Sequence, residues 1–270
     1  MRNYLTYPCK VMNVTQGYNG ATSHKPHTTG SPKDYPWDEG CGDTGRSPMY
    51  CPCDEMKIKR ISTAGTNTIW LESTSKVWLA DGTQDYVTLM VTHPNDSDIK
   101  KLKVGQKFKR GEHICYEGTD GGATGNHFHF SVGKGKVKSK GWKQNSKGKW
   151  VLTCTGGTYK PEALFYIDPK FTTIKKSNGL KFKELPKNEF LPDCGYFKKG
   201  NTHKNIGRVA SFLRDYAPLY TPEAALGNYF GPNLLKSVNQ FRKRTGLTQN
   251  GRIDDKMLTE LVERGFEVEE

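Results

Sequence analysis

The chain has 270 residues, a hydrophobic content of 34% and a formal net charge of +13, a size that fits one large or two modest domains. It contains 29 glycines and 14 prolines, a composition that favours a loop-rich, mostly β protein over a helical bundle. No apolar run approaches the ~20 residues that a membrane-spanning helix needs. The first residues, MRNYLTYPCKVMNVTQ, lack the apolar core of a secretory signal, so we expect synthesis in the cytoplasm without a signal peptide.

The positive charge predicts attraction to a polyanion, which can be nucleic acid, an anionic membrane or an anionic cell-wall polymer. The basic residues are scattered, as in KKLKVGQKFKRG and GKGKVKSKGWKQNSKGKW. They form neither an arginine-rich recognition helix nor the paired cysteines of a zinc finger. We therefore expect a general electrostatic attraction and no nucleic-acid partner.

Short apolar or alternating runs dominate residues 1–170. They are IKRIS, NTIWLES, YVTLMVTH, HICYEG, HFHFSV and KWVLTC, separated by Gly, Asn, Asp and Ser. Such runs predict strands, and helical patterns are few. We assign residues 1–170 to one mostly β domain with an antiparallel sheet or sandwich.

The pattern changes after residue 170. Residues 171–200 are charged and punctuated by Pro and Gly, and we interpret them as a linker with some local structure. From about residue 203 the apolar residues recur at helical spacing. Gly231-Pro232 is a helix-start signal, Gly246 ends that helix, and Asp254 or Asp255 can cap a third one. Residues 201–270 are therefore predicted to form a small three-helix domain.

The seven cysteines form no compact disulfide pattern, and we expect mostly reduced thiols. The Cys51-Pro52-Cys53 sequence can bind a second metal ion. A pair of small apolar fillers on a strand is the favoured interpretation.

Two of the seven histidines stand one residue apart in GNHFHFSVGKG, residues 125–135. The surrounding aromatic and β-branched residues predict a strand, so His127 and His129 point to the same face, with Phe128 and Phe130 on the other. Two imidazoles on one face can share a metal ion or divide its binding and its chemistry. The alternative is a pair of ordinary surface or core histidines.

Further ligands must come from elsewhere, because catalytic zinc usually takes three protein ligands and leaves one position for water. The Gly/Pro-rich segment 21–45 is the main source of candidates, since loops of this kind often carry functional sites. Its candidates are His24, His27, Asp34, Asp38 and Asp43. The alternative is a polar loop with capping aspartates.

One more candidate, His93, ends the alternating run YVTLMVTHPND. A histidine at the end of a strand is well placed to face a groove, although an ordinary surface histidine also fits this position. The order along the chain is thus an early histidine, an aspartate, His93 and the H-x-H pair.

This order resembles that of the lysostaphin-type zinc metallopeptidases, which cut the peptides of bacterial peptidoglycan. Residues 104–112, VGQKFKRGE, resemble a turn of that family, and residues 124–130, TGNHFHF, resemble its H-x-H segment. The similarity covers roughly residues 10–135. It implies a zinc metalloendopeptidase with one Zn²⁺ per chain.

Carried over residue by residue, the resemblance implies zinc ligands and catalytic histidines: the ligands are His24, Asp38 and His129, and the catalytic residues are His93 and His127. The family usually separates its first histidine and aspartate by only a few residues, whereas KPHTTGSPKDYPW intervenes here. Asp34 therefore remains the alternative carboxylate and His27 the alternative first histidine. The acidic residue usual after the H-x-H segment is Ser131 in this chain.

Residues 196–264 resemble three-helix peptidoglycan-binding modules. The segments that carry this likeness are FKKG (197–200), YFGPN (229–233), FRKRTGL (241–247) and NGRI (250–253). A generic helical appendage is the alternative. The resemblance implies peptidoglycan as the partner, and the charge adds anionic wall polymers.

Two functions follow as hypotheses. The first is a peptidoglycan endopeptidase with a wall-binding module, an endolysin-like enzyme that acts on the cell wall after release from the cytoplasm. The second is a non-catalytic wall-binding protein with a degenerate metallopeptidase fold. Degenerate members typically lose a ligand or a catalytic histidine, and all five positions can be filled here, which favours the enzyme.

Overall fold

The computed structural model describes residues 2–18, 24, 34–40, 45–146, 148–186, 189–192 and 194–268. The chain divides into two compact units, one of residues 2–185 and one that begins at Pro186. Each unit has its own hydrophobic core. None of the helices in the described ranges combines the length and the apolar character that crossing a membrane requires.

Short strands make up most of the first unit. In chain order its elements are β1 (Val11–Gln16), β2 (Trp37–Glu39), β3 (Pro48–Tyr50), β4 (Glu55–Ser62), β5 (Thr68–Ser73), β6 (Val77–Trp78), β7 (Gln84–Asp85), β8 (Val87–Thr92), α1 (Asp96–Ile99), β9 (Lys107–Lys109), β10 (His113–Tyr116), β11 (Phe128–Lys134), β12 (Val137–Gln144), β13 (Trp150–Cys154), β14 (Thr158–Tyr159), α2 (Pro161–Leu164), β15 (Tyr166–Ile167), β16 (Thr173–Lys176) and β17 (Lys183–Glu184).

The main sheet runs in the order β16-β1-β2-β11-β8-β5-β4-β9, and β14 also pairs with β11. Strands β1 and β16 are parallel, and the other neighbours in this sheet are antiparallel. Small two-stranded sheets join β10 to β3, β12 to β13, β15 to β17 and β6 to β7. The expected mostly β fold is confirmed, with mixed rather than purely antiparallel pairing.

The six apolar runs of the sequence all lie on strands, namely β4, β5, β8, β10, β11 and β13. Alternation explains why they form one-sided strands. On β11, Phe128 and Phe130 are fully buried in the core, and Phe130 packs on Trp37 of β2 with ring centroids 5.0 Å apart. Full burial of one such side chain contributes roughly 1.5–3 kcal/mol to folding.

The opposite face of the sheet carries polar residues at one end. His129 of β11 lies between Asp38 of β2 and Thr92 of β8, and Thr92 pairs in turn with Thr68 of β5. Cross-strand partners share a face, so these four side chains form one row across four strands. We call this side of the sheet the site face.

The hairpin β12–β13 packs on the site face farther along the strands. Its Leu152 and Cys154 form a second small hydrophobic cluster with Trp70 of β5 and Met90 of β8. The indole Nε1 of Trp70 donates a hydrogen bond to the carbonyl of Gly141, at 3.0 Å. The cluster therefore fixes the hairpin to the sheet.

The second unit contains three helices and one short sheet. Its elements are β18 (Tyr196–Lys198), α3 (Lys204–Tyr216), two 3₁₀ turns (Pro218–Tyr220 and Glu223–Ala225), α4 (Pro232–Arg244), β19 (Arg252–Asp254) and α5 (Asp255–Val262), with β18 and β19 paired antiparallel. Asp254, rather than Asp255, is the N-cap of α5 and accepts a hydrogen bond from the Met257 amide at 3.0 Å. It also pairs with the buried Arg242 at 2.8 Å.

Residues 171–200, interpreted from the sequence as a linker, contain local structure. Strand β16 belongs to the main sheet, and β17 pairs with β15 in the first unit. Phe190 and Leu191 belong to the core of the second unit. The boundary between the compact units falls between residues 185 and 186.

Candidate metal centre

Strand register places an aspartate beside the second histidine of H-x-H. His129 and Asp38 are direct cross-strand partners on β11 and β2. Because the side-chain period of a strand is two, Trp37 and Glu39 point away from the site face while Asp38 points onto it. The third member, His24, lies far away in sequence, and its ring centroid is 5.0 Å from that of His129.

Three donor atoms converge at this point. The distances are 3.2 Å from His24 Nε2 to His129 Nδ1, 3.3 Å from His24 Nε2 to Asp38 Oδ1, and 2.9 Å from His129 Nδ1 to Asp38 Oδ1. Among the described residues, this is the group of histidine, cysteine and acidic side chains with the geometry to hold a metal ion.

The distances suit a tetrahedral zinc ion. With zinc–ligand distances of about 2.0–2.1 Å, neighbouring ligands in a tetrahedron lie about 3.3 Å apart. The observed triangle is close to that size on all three edges. Two imidazoles and one carboxylate are also a common catalytic zinc donor set, with one position left for water.

Neighbouring groups orient these donors. The ring nitrogen Nδ1 of His24 lies 3.2 Å from the carbonyl of Gly17. A carbonyl only accepts, so Nδ1 carries the proton and Nε2 presents its lone pair to the cluster. Gln16 Nε2 donates to the second carboxylate oxygen of Asp38 at 3.0 Å. Such outer contacts fix the tautomer and the orientation of metal ligands.

The electrostatics keep the ligands in the forms that bind metal. Burial alone would raise the pKa of Asp38, but the imidazoles of His129 and His24 beside its carboxylate bring it below its ordinary value. Burial lowers the pKa of His129, and the Asp38 carboxylate partly opposes that effect. An ionised carboxylate and neutral imidazoles are the states required for coordination.

The other two predicted histidines stand at the edge of the cluster. His127 Nε2 is 3.9 Å from Asp38 Oδ1, and its ring centroid is 4.6 Å from that of His93. The Nδ1 of His127 donates to the carbonyl of Gly125 at 2.8 Å, and the Nδ1 of His93 donates to the carbonyl of Asp120 at 2.6 Å. Both rings therefore leave Nε2 unprotonated in the neutral form.

His93 adopts a strained backbone. Its φ angle is +81°, a left-handed conformation that is uncommon for residues other than glycine. The loop around it is fixed by hydrogen bonds: the His93 amide donates to Asn67 O at 3.0 Å, and the Asn67 amide donates to Asp120 Oδ2 at 2.6 Å. Residues held in such conformations cluster at functional sites.

Burial sets the charge of His93. Burial lowers its pKa to about 4, against a smaller opposing effect of the hydrogen bond to Asp120, and the nearby His127 and His129 lower it further. His93 is consequently neutral at neutral pH. A neutral imidazole can accept a proton or donate a hydrogen bond without repelling a bound cation.

The alternative candidates take other positions. Asp34 is buried, and its carboxylate accepts a hydrogen bond from the Tyr35 amide at 3.1 Å. It is not a member of the three-residue cluster, and burial raises its pKa to about 7. His27 and Asp43 lie outside the described residues.

The sequence interpretation missed a buried carboxylate beneath the site. Glu39 accepts hydrogen bonds of 2.5 Å from the Tyr7 hydroxyl and from the Asn13 amide. Burial raises its pKa to about 8. These contacts tie β2 to β1 and so hold Asp38 in register. The sequence did contain one signal. Asp38 and Glu39 are adjacent, and because adjacent side chains on a strand point to opposite faces, one of the two carboxylates must face the core.

The cysteines of the described residues form no disulfide with one another. Those buried are Cys9, Cys51, Cys53, Cys115 and Cys154, and Cys194 is exposed. Cys51 and Cys53 belong to the hydrophobic core and to no metal-binding group found among the described residues. Cys41 lies outside those residues.

The chain is similar in sequence to a phage protein, but no protein-family model matches it. The chain is 35% identical over 138 residues to morphogenesis protein 1 of Bacillus phage B103, a match that covers 50% of this chain and 33% of the phage protein. The chain therefore spans about one third of the length of that relative.

Similar solved structures include zinc peptidases. One is a zinc-containing peptidase from Vibrio cholerae, with 22% identity, a TM-score of 0.33 and coverage of 48% of this chain and 36% of that chain. Another is the catalytic domain of lysostaphin, an antimicrobial peptidase from Staphylococcus simulans, with 18% identity, a TM-score of 0.25 and coverage of 47% and 76%. Both scores are low, so the role of the cluster rests on its own geometry.

Proposed function

We propose that this chain is a zinc-dependent endopeptidase that hydrolyses peptide bonds of bacterial peptidoglycan, in a cross-bridge or a stem peptide. The observation that carries the proposal is the triangle of His24, Asp38 and His129 donors, whose edges match a tetrahedral zinc site. Two further histidines with free Nε2 atoms stand beside it. This arrangement supports hydrolysis rather than a purely structural metal site, which would be closed by a fourth protein ligand.

The ion would be held by His24 Nε2, Asp38 Oδ1 and His129 Nδ1. Zinc in such a site supplies a Lewis acid that polarises a peptide carbonyl and lowers the pKa of water toward ~7. With one carboxylate and two neutral imidazoles, the protein contributes a single negative charge. The site then keeps a net positive charge, which favours the negative charge that develops in the transition state.

His127 is suited to be the general base. Its Nδ1 is occupied by the Gly125 carbonyl, so Nε2 is the atom that takes a proton, and it already lies 3.9 Å from Asp38 Oδ1. A positioned base of this kind contributes typically 10²–10⁴-fold to the rate.

His93 is suited to act on the other side of the reacting carbonyl. The Asp120 carbonyl fixes its ring, and its neighbour in the site is the ring of His127. Because the proton of the neutral ring lies on Nδ1, its Nε2 would first take up a proton, such as the one that His127 removes from water, and could then stabilise the oxyanion or pass that proton to the departing amine. Together the two histidines provide the proton transfers that peptide hydrolysis needs.

The identity of the substrate follows from the sequence resemblance and the charge. A chain of net charge +13 suits a substrate embedded in an anionic wall. The resemblance of residues 196–264 to peptidoglycan-binding modules supports a wall-binding role for the second unit. An endolysin-like role in wall lysis is the form of this function that we favour, and 35% identity to a phage protein is compatible with it.

The competing function, a non-catalytic wall-binding protein, has less support. A degenerate site would be expected to lack a ligand or a catalytic histidine. Here all five side chains are present, and the structure brings them to one place.

Digestion of purified cell walls tests the proposal. Walls from several Gram-positive species are incubated with the full chain, and the released fragments are analysed by mass spectrometry. We expect new amino termini at one type of peptide bond, and no release after a chelator has removed the metal. The matched control is His113→Ala, which removes an exposed histidine on β10 and should digest walls normally. Absence of peptide cleavage by the zinc-loaded chain would refute the proposal.

A further inference from the structure

The hairpin β12–β13 covers the site face next to the metal centre. Gly133 of β11 lies four residues beyond His129, about 13 Å along the strand. A Cβ at Gly133 would come within 2.3 Å of the Cys154 sulfur, so the hairpin rests directly on that strand. The hairpin therefore lies on the same face of the sheet as the metal centre, farther along β11.

Side-chain packing and a hydrogen bond anchor the hairpin to the main sheet. Trp142 packs edge-on against the fully buried Trp70, with ring centroids 5.1 Å apart. Glu72 of β5 accepts a hydrogen bond of 2.6 Å from the Val137 amide, at the first residue of the hairpin. These contacts join both ends of β12 to the sheet.

An exposed aromatic ring extends from this anchor. Trp150 packs on Trp142, with centroids 5.1 Å apart and an interplanar angle of 36°. It nevertheless remains 55% exposed. A large aromatic side chain that is held in place and left in solvent is a frequent anchor of binding interfaces. The series Trp70, Trp142 and Trp150 thus leads from the core to an open aromatic surface.

The charges in the sequence segment that contains the hairpin have one sign. Between positions 121 and 161 the sequence contains eight lysines and no aspartate, glutamate or arginine. Lys138, Lys140 and Lys143 of β12 are exposed. Lys134, on β11, forms an ion pair with Asp81 at 2.6 Å. A concentration of lysines in a segment that contains no acidic residue produces a local positive field.

We propose that this hairpin is a binding surface for an anionic glycopolymer of the cell wall, in which sugars alternate with phosphodiesters. The polymer's phosphates would lie against Lys138, Lys140 and Lys143 along β12, and a sugar ring would pack on Trp150 at the end of the hairpin, where Trp150 pairs with Gln144. The proposal rests on the proposed function for the identity of its partner, and it adds a second wall contact, located in the catalytic unit itself.

Lysines suit this partner. The lysine ammonium is a strongly hydrated point charge that attracts phosphate without demanding a fixed geometry, whereas arginine is preferred for paired, oriented contacts. A surface with lysines alone therefore favours a flexible polymer with repeated charges. Bound there, the polymer would hold the unit that contains the metal centre at the wall, close to the wall peptides.

Binding of the full chain to purified walls tests this inference. The variant Lys138→Glu/Lys140→Glu/Lys143→Glu is compared with Lys100→Glu/Lys101→Glu/Lys103→Glu, which reverses three exposed lysines of the same unit beyond α1. Both changes alter the net charge equally. Because lysines near an anionic surface strengthen binding to it, we expect the hairpin variant to bind walls at least ~10-fold more weakly, and the control variant to bind nearly as the wild type does.

Two further measurements identify the partner. Walls extracted with hydrofluoric acid to remove phosphodiester polymers should bind the wild type and the hairpin variant equally. Trp150→Ala should weaken binding to intact walls severalfold without changing its dependence on salt. Cleavage of a soluble, phosphate-free wall peptide should be the same in all variants, so that loss of this activity would count against the proposed function rather than against the hairpin.

Other results would overturn the inference. Equal wall binding by the hairpin variant and the control variant would show that only net charge matters. If walls stripped of phosphodiester polymers still bound the wild type more tightly than the hairpin variant, the phosphodiester polymer would be excluded as the partner. Tighter binding of a thymidine oligonucleotide than of the soluble wall polymer, at equal phosphate concentration, would assign the surface to nucleic acid instead.

Discussion

At the scale of single residues, the division of labour within H-x-H follows from which nitrogen each ring has available. His129 presents Nδ1 to Asp38 at 2.9 Å, whereas His127 uses Nδ1 to contact the Gly125 carbonyl. His127 can therefore approach the cluster only through Nε2, which lies 3.9 Å from Asp38 Oδ1. We accordingly propose different roles for the two histidines.

The first prediction concerns His127. His127→Ala should retain about one zinc per chain, because the three donors of the triangle remain, and should lose ~10²-fold or more in turnover for want of a general base. Zinc is measured by elemental analysis and turnover with a soluble wall peptide. Loss of zinc together with activity would show that both histidines are ligands, contrary to the assignment. His113→Ala, which removes an exposed histidine on β10, outside the main sheet, is the control.

At the scale of elements, the hairpin β12–β13 depends on close approach of backbone to an indole ring. Gly141 has a φ of +84°, and a Cβ there would come within 2.7 Å of Trp70 Nε1. The same indole donates its hydrogen bond to the Gly141 carbonyl. A side chain at this position would therefore separate the hairpin from the sheet.

The second prediction compares two glycines of this hairpin. Gly141→Ala should destabilise the first unit by about 2–3 kcal/mol, the sum of left-handed strain of about 1–2 kcal/mol and loss of the buried hydrogen bond of about 1 kcal/mol. Gly148→Ala, with a φ of +72° and no atom within 4 Å of the added Cβ, should cost only the strain. Denaturant unfolding followed by tryptophan fluorescence measures both. Equal losses for the two variants would contradict the anchoring role of Gly141.

The strands of the first unit show which elements could be predicted from the sequence and which could not. Alternation of polar and apolar residues predicted β4, β5, β8, β11 and β13, because one-sided burial leaves a period of two. Short strands such as β2 escaped prediction: its three residues Trp37–Glu39 are all buried, since one face contacts the core and the other faces the site. A three-residue strand without alternation carries no periodic signal.

The sequence was sufficient to predict a metal site built on histidines, but not to identify every ligand. H-x-H on a strand directs both histidines to one face, and this follows from local geometry alone. The pairing of Asp38 with His129 depends on the register between β2 and β11, which is a long-range property. For the same reason, composition of the polar segment alone could not choose between Asp34 and Asp38.

At the scale of the whole molecule, two compact units divide the work that we propose. The first unit contains the three-residue cluster and both further histidines. The second has its own core around Ile206, Val209 and Leu234. The boundary lies between residues 185 and 186, so a fragment must include β16 and β17 to keep the first unit whole.

The third prediction concerns separation of the units. Residues 1–185 alone should cleave a soluble wall peptide at a near-normal rate and digest intact walls much more slowly. Two weak contacts with one polymer can together exceed either affinity by ~10²-fold or more. The deficit should grow with salt, which screens the remaining electrostatic attraction. Rates on the two substrates are compared at low and high salt.

The isolated second unit, residues 186–270, should sediment with purified peptidoglycan and cut nothing. If it stays in solution, the wall-binding role of this unit is wrong. If the fragment 1–185 folds but has lost activity on the soluble peptide, catalysis requires both units and the modular interpretation fails.

Zinc content of a matched set of variants tests the central claim, that His24, Asp38 and His129 form a catalytic zinc site. The set consists of the wild type, His24→Ala, Asp38→Ala, His129→Ala and a variant of a buried neighbour, Asp34→Ala. Each protein is freed of metal, reloaded with zinc and dialysed. Its zinc content is then measured by elemental analysis, and circular dichroism verifies that it is folded. We predict about one zinc per chain in the wild type and in Asp34→Ala, and little zinc in the other three, because a three-ligand site cannot lose one donor without a large loss of affinity. Retention of zinc by folded His129→Ala or Asp38→Ala, or its loss from Asp34→Ala alone, would contradict the assignment.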